Sequence, residues 1–138
     1  MLNTNVPSEL MRPEPAEAVL RWITGQPAAA LYVTSLSYAE ILLGIGLMPD
    51  GRRRQRLAEQ AEGMFTEDFA GRVLSFDLSA APAYAVIASQ RQQAGNRINT
   101  VDAMIAAIAQ VRGAAVASRD SDLAGCGVPL INPWDAAG

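Results

Sequence analysis

Two carboxylates, Asp102 and Asp120, bracket the stretch TVDAMIAAIAQVRGAAVASRD, and their spacing lets them meet. Thr100 is the expected N-cap of a helix, which puts Asp102 in the first turn, where negative charge is favoured. Ile105, Ala106 and Ala109 follow on the same helical face, so the carboxylate sits above an apolar stripe. Gly113 is the expected stop, and Ala114–Ser118 is a small apolar run suited to a buried strand. The helix advances roughly 18 Å at about 1.5 Å per residue. The strand returns roughly 16 Å at about 3.3 Å per residue. The helix start and the strand end therefore lie at one level, and an acidic site at a sheet rim is the expectation.

The residue inventory narrows what such a site can do. The chain has no histidine, which excludes His-based acid–base pairs, Ser-His-Asp triads and His-containing zinc sites. All eleven basic residues are arginine, so a Walker-type phosphate loop and Schiff-base chemistry lack their lysine. Carboxylates remain, and at neutral pH they act chiefly through a hard divalent cation. The net charge of −3 supplies no global field for nucleic acid, although Arg52, Arg53, Arg54 and Arg56 form a local basic cluster. That cluster suits either a solvated helix start or a phosphate-contacting patch. The lone Cys126 cannot form an internal disulfide and fits a reducing cytosol. No secretory signal or membrane-spanning run is visible, so a cytoplasmic protein that does not engage the membrane is expected.

The elements that must position these groups follow from periodicity and punctuation. Met1–Asn5 is too short for a full strand, and Val6–Leu10 reads as a short helix with Pro7 near its opening. Glu17–Gly25 is an amphipathic helix, Ala30–Ser35 a β-type run, and Ser37–Met48 an apolar helix ending at Pro49. A charged helix runs from Arg52 to about Phe69, followed by a β candidate at Val73–Phe76 and a helix at Ala80–Ala94. Pro129–Ile131 is a last short strand, after which Trp134 folds back to pack. Strands alternating with helices predict one α/β domain over 1–138, with a mainly parallel sheet covered on both faces.

Ligands collect beyond the carboxyl ends of strands in such sheets. Asn3, Glu40 and Asp120 fall just past such ends, and Asp102 arrives from its helix start. Each also has a purely structural role open to it. Ser37 and Glu40 have capping-box spacing, Asp102 suits the helix dipole, Asp120 and Asp122 suit a turn, and Asn3 suits an Asx turn. Those roles do not account for four polar groups meeting at one rim. Thr4 and Ser118 are placed to donate hydroxyl hydrogen bonds that orient the carboxylates, with Asp122 a further neighbour.

The stretches LNTNVPSEL, SLSYAEILLGI, TVDAMIAAIA and ASRDSDL resemble, in order, the four motif regions of PIN-domain ribonucleases. GIGLMPDGRRRQRL and the closing INPW resemble the VapC-type toxins in particular. The resemblance implies a three-layer α/β/α PIN-like fold and an endoribonuclease acting as the toxin of a type II toxin–antitoxin pair. It also implies Mg²⁺ or Mn²⁺ as cofactor, RNA as substrate, a homodimer, and a cognate antitoxin whose C-terminal segment lies across the acidic site, often presenting an arginine to it. Three of the family's four acidic metal ligands match Glu40, Asp102 and Asp120. The first does not: Asn3-Thr4-Asn5 stands where the family has Asp-Thr-Asn. An Asn carbonyl still ligates a hard cation, but as a neutral dipole, so weakened metal binding and impaired cleavage are expected. The alternative is a catalytically inactive PIN-fold module that dimerises and binds its antitoxin.

Overall fold

The computed structural model describes residues 1–135. In chain order its elements are α1 (Asn5–Leu10), α2 (Glu17–Thr24), β1 (Val33–Thr34), α3 (Ser35–Gly46) and α4 (Arg52–Gly63). Then come β2 (Val73–Leu74), α5 (Ala81–Gln93), α6 (Thr100–Arg112), β3 (Val116–Ala117) and β4 (Leu130–Ile131). β1 pairs in parallel with β2, Val33 opposite Val73, and β3 pairs in parallel with β4, Val116 opposite Leu130. Met1–Asn3 links the two pairs. The Leu2 N–H donates to Tyr32 O at 2.7 Å, Asn3 N–H to Ala117 O at 2.9 Å, and Ala117 N–H to Met1 O at 2.8 Å.

Side chains alternate across this sheet and so feed two separate cores. Met1, Val116, Leu74 and Leu130 face one core, built with Ile105, Ile108 and the alanines of α6 and with Ile87 of α5. Leu2, Ala117, Val33 and Val73 face the other, built with Val6, Val19, Ile41, Ile45 and Ala61 of α1–α4. The result is a three-layer α/β/α arrangement. α6 is buried at six positions from Ala103 to Ala109, four of them alanine, which lets it lie close to both the sheet and α5.

The structure revises several boundaries. Every strand is two residues long. Ala28–Ala30, at the edge of the expected first strand, forms a 3₁₀ turn after Pro27, and α3 starts two residues early because Thr34 caps it. The Thr34 hydroxyl accepts the Ser37 N–H at 3.1 Å, so Ser37 and Glu40 do not form the capping box that their spacing allows. α4 stops at Gly63 and passes into a wider π-type turn, Met64–Asp68, in which Phe69 N–H bonds Met64 O at 2.9 Å. The wider turn buries Met64, Phe65 and Phe69 together, which outweighs the poorer helical geometry.

Asn99, not Thr100, is the N-cap of α6: its Oδ1 accepts the N–H of Val101 at 2.9 Å and of Asp102 at 3.3 Å. Gly113 ends α6 in the left-handed region, at φ 64°, as its position implied. Trp134 folds back against the α1–α4 core. Among the described residues no helix is long and apolar enough to cross a membrane. The cap assignment is checked by denaturant unfolding. Asn99→Ala should lose about 1 kcal/mol by removing the acceptor of two orphan N–H groups, and Thr100→Ala should change little.

Candidate metal centre

Three of the site residues follow a strand that hands the chain to a helix or turn, and Asp102 arrives from the first turn of α6. The first pairing segment ends at Asn3, β1 ends at the Thr34 cap of α3, and β3 ends at Ser118 just before Asp120. Asn3, Glu40, Asp102 and Asp120 line one cleft of about 550 Å³ at this rim, with Thr4, Asn5, Ser8, Glu9, Arg12 and Arg119. Asp122 does not line it. That residue is exposed, and its N–H is tied to Asp120 Oδ1 at 2.9 Å.

A chain of hydroxyls holds the Glu40 carboxylate. Thr34 donates to Ser37 at 3.4 Å, Ser37 donates to Thr4 at 2.9 Å because the Thr4 proton is already used, and Thr4 donates to Glu40 Oε1 at 2.5 Å. Glu40 is thereby bonded to Thr4 of the N-terminal segment, which is in turn tied to the start of α3 through Ser37 and Thr34. On the opposite side Ser118, 1% exposed, receives the Asp120 N–H at 2.9 Å and the side-chain amides of Asn3 and Asn5, each at 3.0 Å. A hydroxyl has two acceptor positions and one proton. Asn3 Oδ1 and Asn5 Oδ1 are both buried without a donor, and turning either amide over would give the Ser118 proton an acceptor. Asn3 is 3% exposed, so an unpaired acceptor there costs about 1–3 kcal/mol unless a positive group meets it.

The electrostatics point the same way. The Asp102 carboxyl is raised from 3.8 to about 6, first by burial and then by the charges of Asp120, Glu40 and Asp122. An orphaned carbonyl oxygen beside three mutually repelling carboxylates is a donor set for a hard divalent cation. Among the described residues, no three acidic side chains are already gathered at metal-ligating spacing.

A second, larger groove of about 1050 Å³ shares Thr4, Ser8, Arg12 and Glu40 with the cleft and runs between α3 and α4 over Ile41, Ile45 and Leu57. Of the basic cluster at the α4 start, Arg53 and Arg56 line this groove, and Arg54 pairs with Asp50. Sequence reasoning did not pick out Thr34, Ser37, Glu9, Arg12 or Arg119 for the site. For Glu9 and Arg12 a signal existed, the i,i+3 spacing of an ion pair, which the structure closes at 3.3 Å.

A family model for the PIN domain matches residues 1–127. The chain belongs to the PIN-domain family. It is 44% identical over 137 residues to the plasmid stability protein StbB of Pseudomonas syringae pv. tomato, covering 99% of both chains. It is 42% identical over 138 residues to the VapC ribonuclease Y4jK of Sinorhizobium fredii, again covering 99% of both. Its fold superposes on the crystal structure of FitAcB from Neisseria gonorrhoeae with a TM-score of 0.89, at 36% identity and 98% coverage of each chain. These matches place this PIN domain in the VapC-type branch that the four motif stretches resemble.

The Asp102 shift makes a stability prediction for this PIN domain in EDTA. Between pH 4 and about 6 the folded chain keeps a proton that the unfolded chain has lost, so stability falls as pH rises through that window. Asp102→Asn removes this loss. After discounting for the screening of a half-exposed group, the variant should exceed the parent by about 1–2 kcal/mol at pH 7. The two should converge towards pH 4. Denaturant titrations across pH measure the gap, and a pH-independent difference would assign the proton to another group.

Proposed function

We propose that this VapC-type chain is a divalent-metal-dependent endoribonuclease, the toxin of a type II toxin–antitoxin pair, weakened by Asn at its first acidic position. The observation that carries the reading is the convergence of Asn3, Glu40, Asp102 and Asp120 on one cleft. Names of relatives, a VapC ribonuclease and a plasmid stability protein, support the class. Glu40, Asp102, Asp120 and Asn3 Oδ1 would hold Mg²⁺ or Mn²⁺. Such a cation, when bound, supplies polarisation of a phosphodiester and a water of lowered pKa.

The chain's own residues do the positioning. Thr4 fixes the Glu40 carboxylate, Ser118 fixes the Asp120 backbone and the Asn3 amide, and Asn99 fixes the start of α6 beneath Asp102. Asp102, holding its proton up to about pH 6, must release it before it serves as an anionic ligand. Asn3 contributes shape and a lone pair without charge, which favours the alternative of a fold that has kept its partners and lost its catalysis.

The partners follow from the surfaces. Leu42 and Leu43 of α3 and Leu47 at its C-cap are 40%, 64% and 78% exposed, an apolar patch of the kind that marks an interaction surface. A homodimer would cover it, and a cognate antitoxin with a C-terminal arginine would neutralise the carboxylate cleft. We place the protein in the cytoplasm, with RNA as its substrate. Sedimentation should give a dimer at micromolar concentration that Leu43→Glu converts to monomer; a parent that sediments as a clean monomer would remove the dimer from the reading.

Asn3→Asp decides between enzyme and inactive module. On labelled RNA with Mg²⁺ or Mn²⁺ the variant should cleave faster by more than the roughly 10–100-fold that outer partners of metal ligands carry, and EDTA should abolish the difference. In EDTA the variant should be no more stable than the parent, because a fourth carboxylate joins the cluster. Its melting temperature should rise more steeply with Mg²⁺. Equal Mg²⁺-dependent upshifts in the two would mean that position 3 is not a ligand.

A further inference from the structure

The closing INPW motif lines no part of the carboxylate cleft, yet its Trp134 meets a residue that does. Arg119, next in the chain to Asp120, lies in the cleft wall beside Asp102 and Glu40. It forms no ion pair with these carboxylates: among the described residues the ion pairs are Arg12–Glu9 and Arg54–Asp50. Its guanidinium carbon stands 4.3 Å from the centroid of the Trp134 ring instead.

Trp134 is itself held in place. Its N–H donates to Asn132 Oδ1 at 3.0 Å, Asn132 Nδ2 donates to Asp135 Oδ2 at 3.1 Å, and Asp135 N–H returns to Asn132 O at 3.1 Å. Pro133 between them is fully buried, and the indole packs on the α1–α4 core. This turn is a platform, and Arg119 is what lies on it. Stacking occupies the face of a guanidinium and leaves its in-plane N–H fork open, the geometry that takes two oxygens of one phosphate. A cleft lined by the carboxylates Glu9, Glu40, Asp102 and Asp120 repels a polyanion, so a strand that enters it needs a cation that those carboxylates have not already neutralised.

We propose that Arg119, stacked on Trp134, is a substrate-binding residue that grips a backbone phosphate of single-stranded RNA beside the carboxylate cleft. The inference rests on the ribonuclease reading above and adds to it the residue that holds the strand. Trp134 is a positioning residue acting through Arg119.

The test is binding of a labelled single-stranded RNA oligonucleotide, followed by fluorescence anisotropy in EDTA over a salt series. Arg119 is exposed, so its substitution leaves the core intact. Arg119→Ala should weaken binding about fivefold or more and lower the slope of log affinity against log salt by about 0.7, the loss of one phosphate contact on a single strand. Arg119→Lys should keep the slope and still bind about two- to fivefold more weakly, because it retains charge and loses the stacked fork. Trp134→Leu should weaken binding in the parent and have no effect in the Arg119→Ala background, whereas a merely structural role would weaken both. An unchanged slope and affinity in Arg119→Ala, with the parent binding RNA, overturns the inference and leaves the ribonuclease reading standing. A parent that does not bind RNA, together with an Asn3→Asp form that does not cleave it with Mg²⁺, overturns both.

Discussion

The insertion of Met1–Asn3 between β1 and β3 is the constraint from which the site follows. Leu2 and Asn3 donate their N–H groups to opposite sides, to Tyr32 O and Ala117 O. That double pairing fixes the height of the segment relative to both neighbours. Leu2 then faces one core and Met1 the other, so a slip of one residue would exchange their faces. Asn3 is left at the level where β3 ends, within 3.0 Å of the Ser118 hydroxyl. Thr4 arrives at the level where α3 starts and reaches Glu40. A rim assembled from segments this far apart in the chain holds its geometry through the sheet, not through local turns.

The same rim stores electrostatic stress. Burial and three neighbouring carboxylates raise Asp102 to about 6, which marks the folded state as a poor host for its charged form. Directional hydrogen bonds oppose that stress: the Thr34–Ser37–Thr4–Glu40 chain on one side and Ser118 on the other. These hydroxyls are uncharged, so they orient carboxylates without neutralising them. Positive charge has to come from outside the set. Asn3 lowers the repulsion by one unit of charge and leaves an oxygen without a donor, which relaxes the stress without removing the shape of the site.

Arginines sit around the carboxylates without cancelling them. Arg12 is tied to Glu9, and Arg119 is stacked on Trp134. The cleft thus combines the partly buried Glu40, Asp102 and Asp120 with the exposed Arg12 and Arg119, and it shares residues with a groove lined by Ile41, Ile45, Leu57, Arg53 and Arg56. The exposed leucines of α3 face a different need, since burying them requires another chain surface rather than an ion.

The sequence by itself determined the element order, the parallel α/β class and the four positions that meet at the rim. These depend on local signals: apolar periodicity in α6, the Gly113 stop, and polar residues just beyond β-type runs. Set beside the family pattern it resembles, it also singled out Asn3 as the departure from an all-carboxylate set, because residue type is visible without coordinates. Tertiary structure decided what depends on distance between segments. Ser37 could have capped α3 with Glu40, but Thr34 lay closer, which released Glu40 to Thr4. Thr100 could have capped α6, but the Asn99 amide reaches two N–H groups where a threonine hydroxyl at the next position reaches none. The strands shrank to two residues because hydrogen-bonded neighbours, not β propensity, set where a ladder ends. Arg119 and Trp134, fifteen residues apart in the chain, met because β4 returns the chain beside β3; no periodicity in the sequence encodes a contact of that kind.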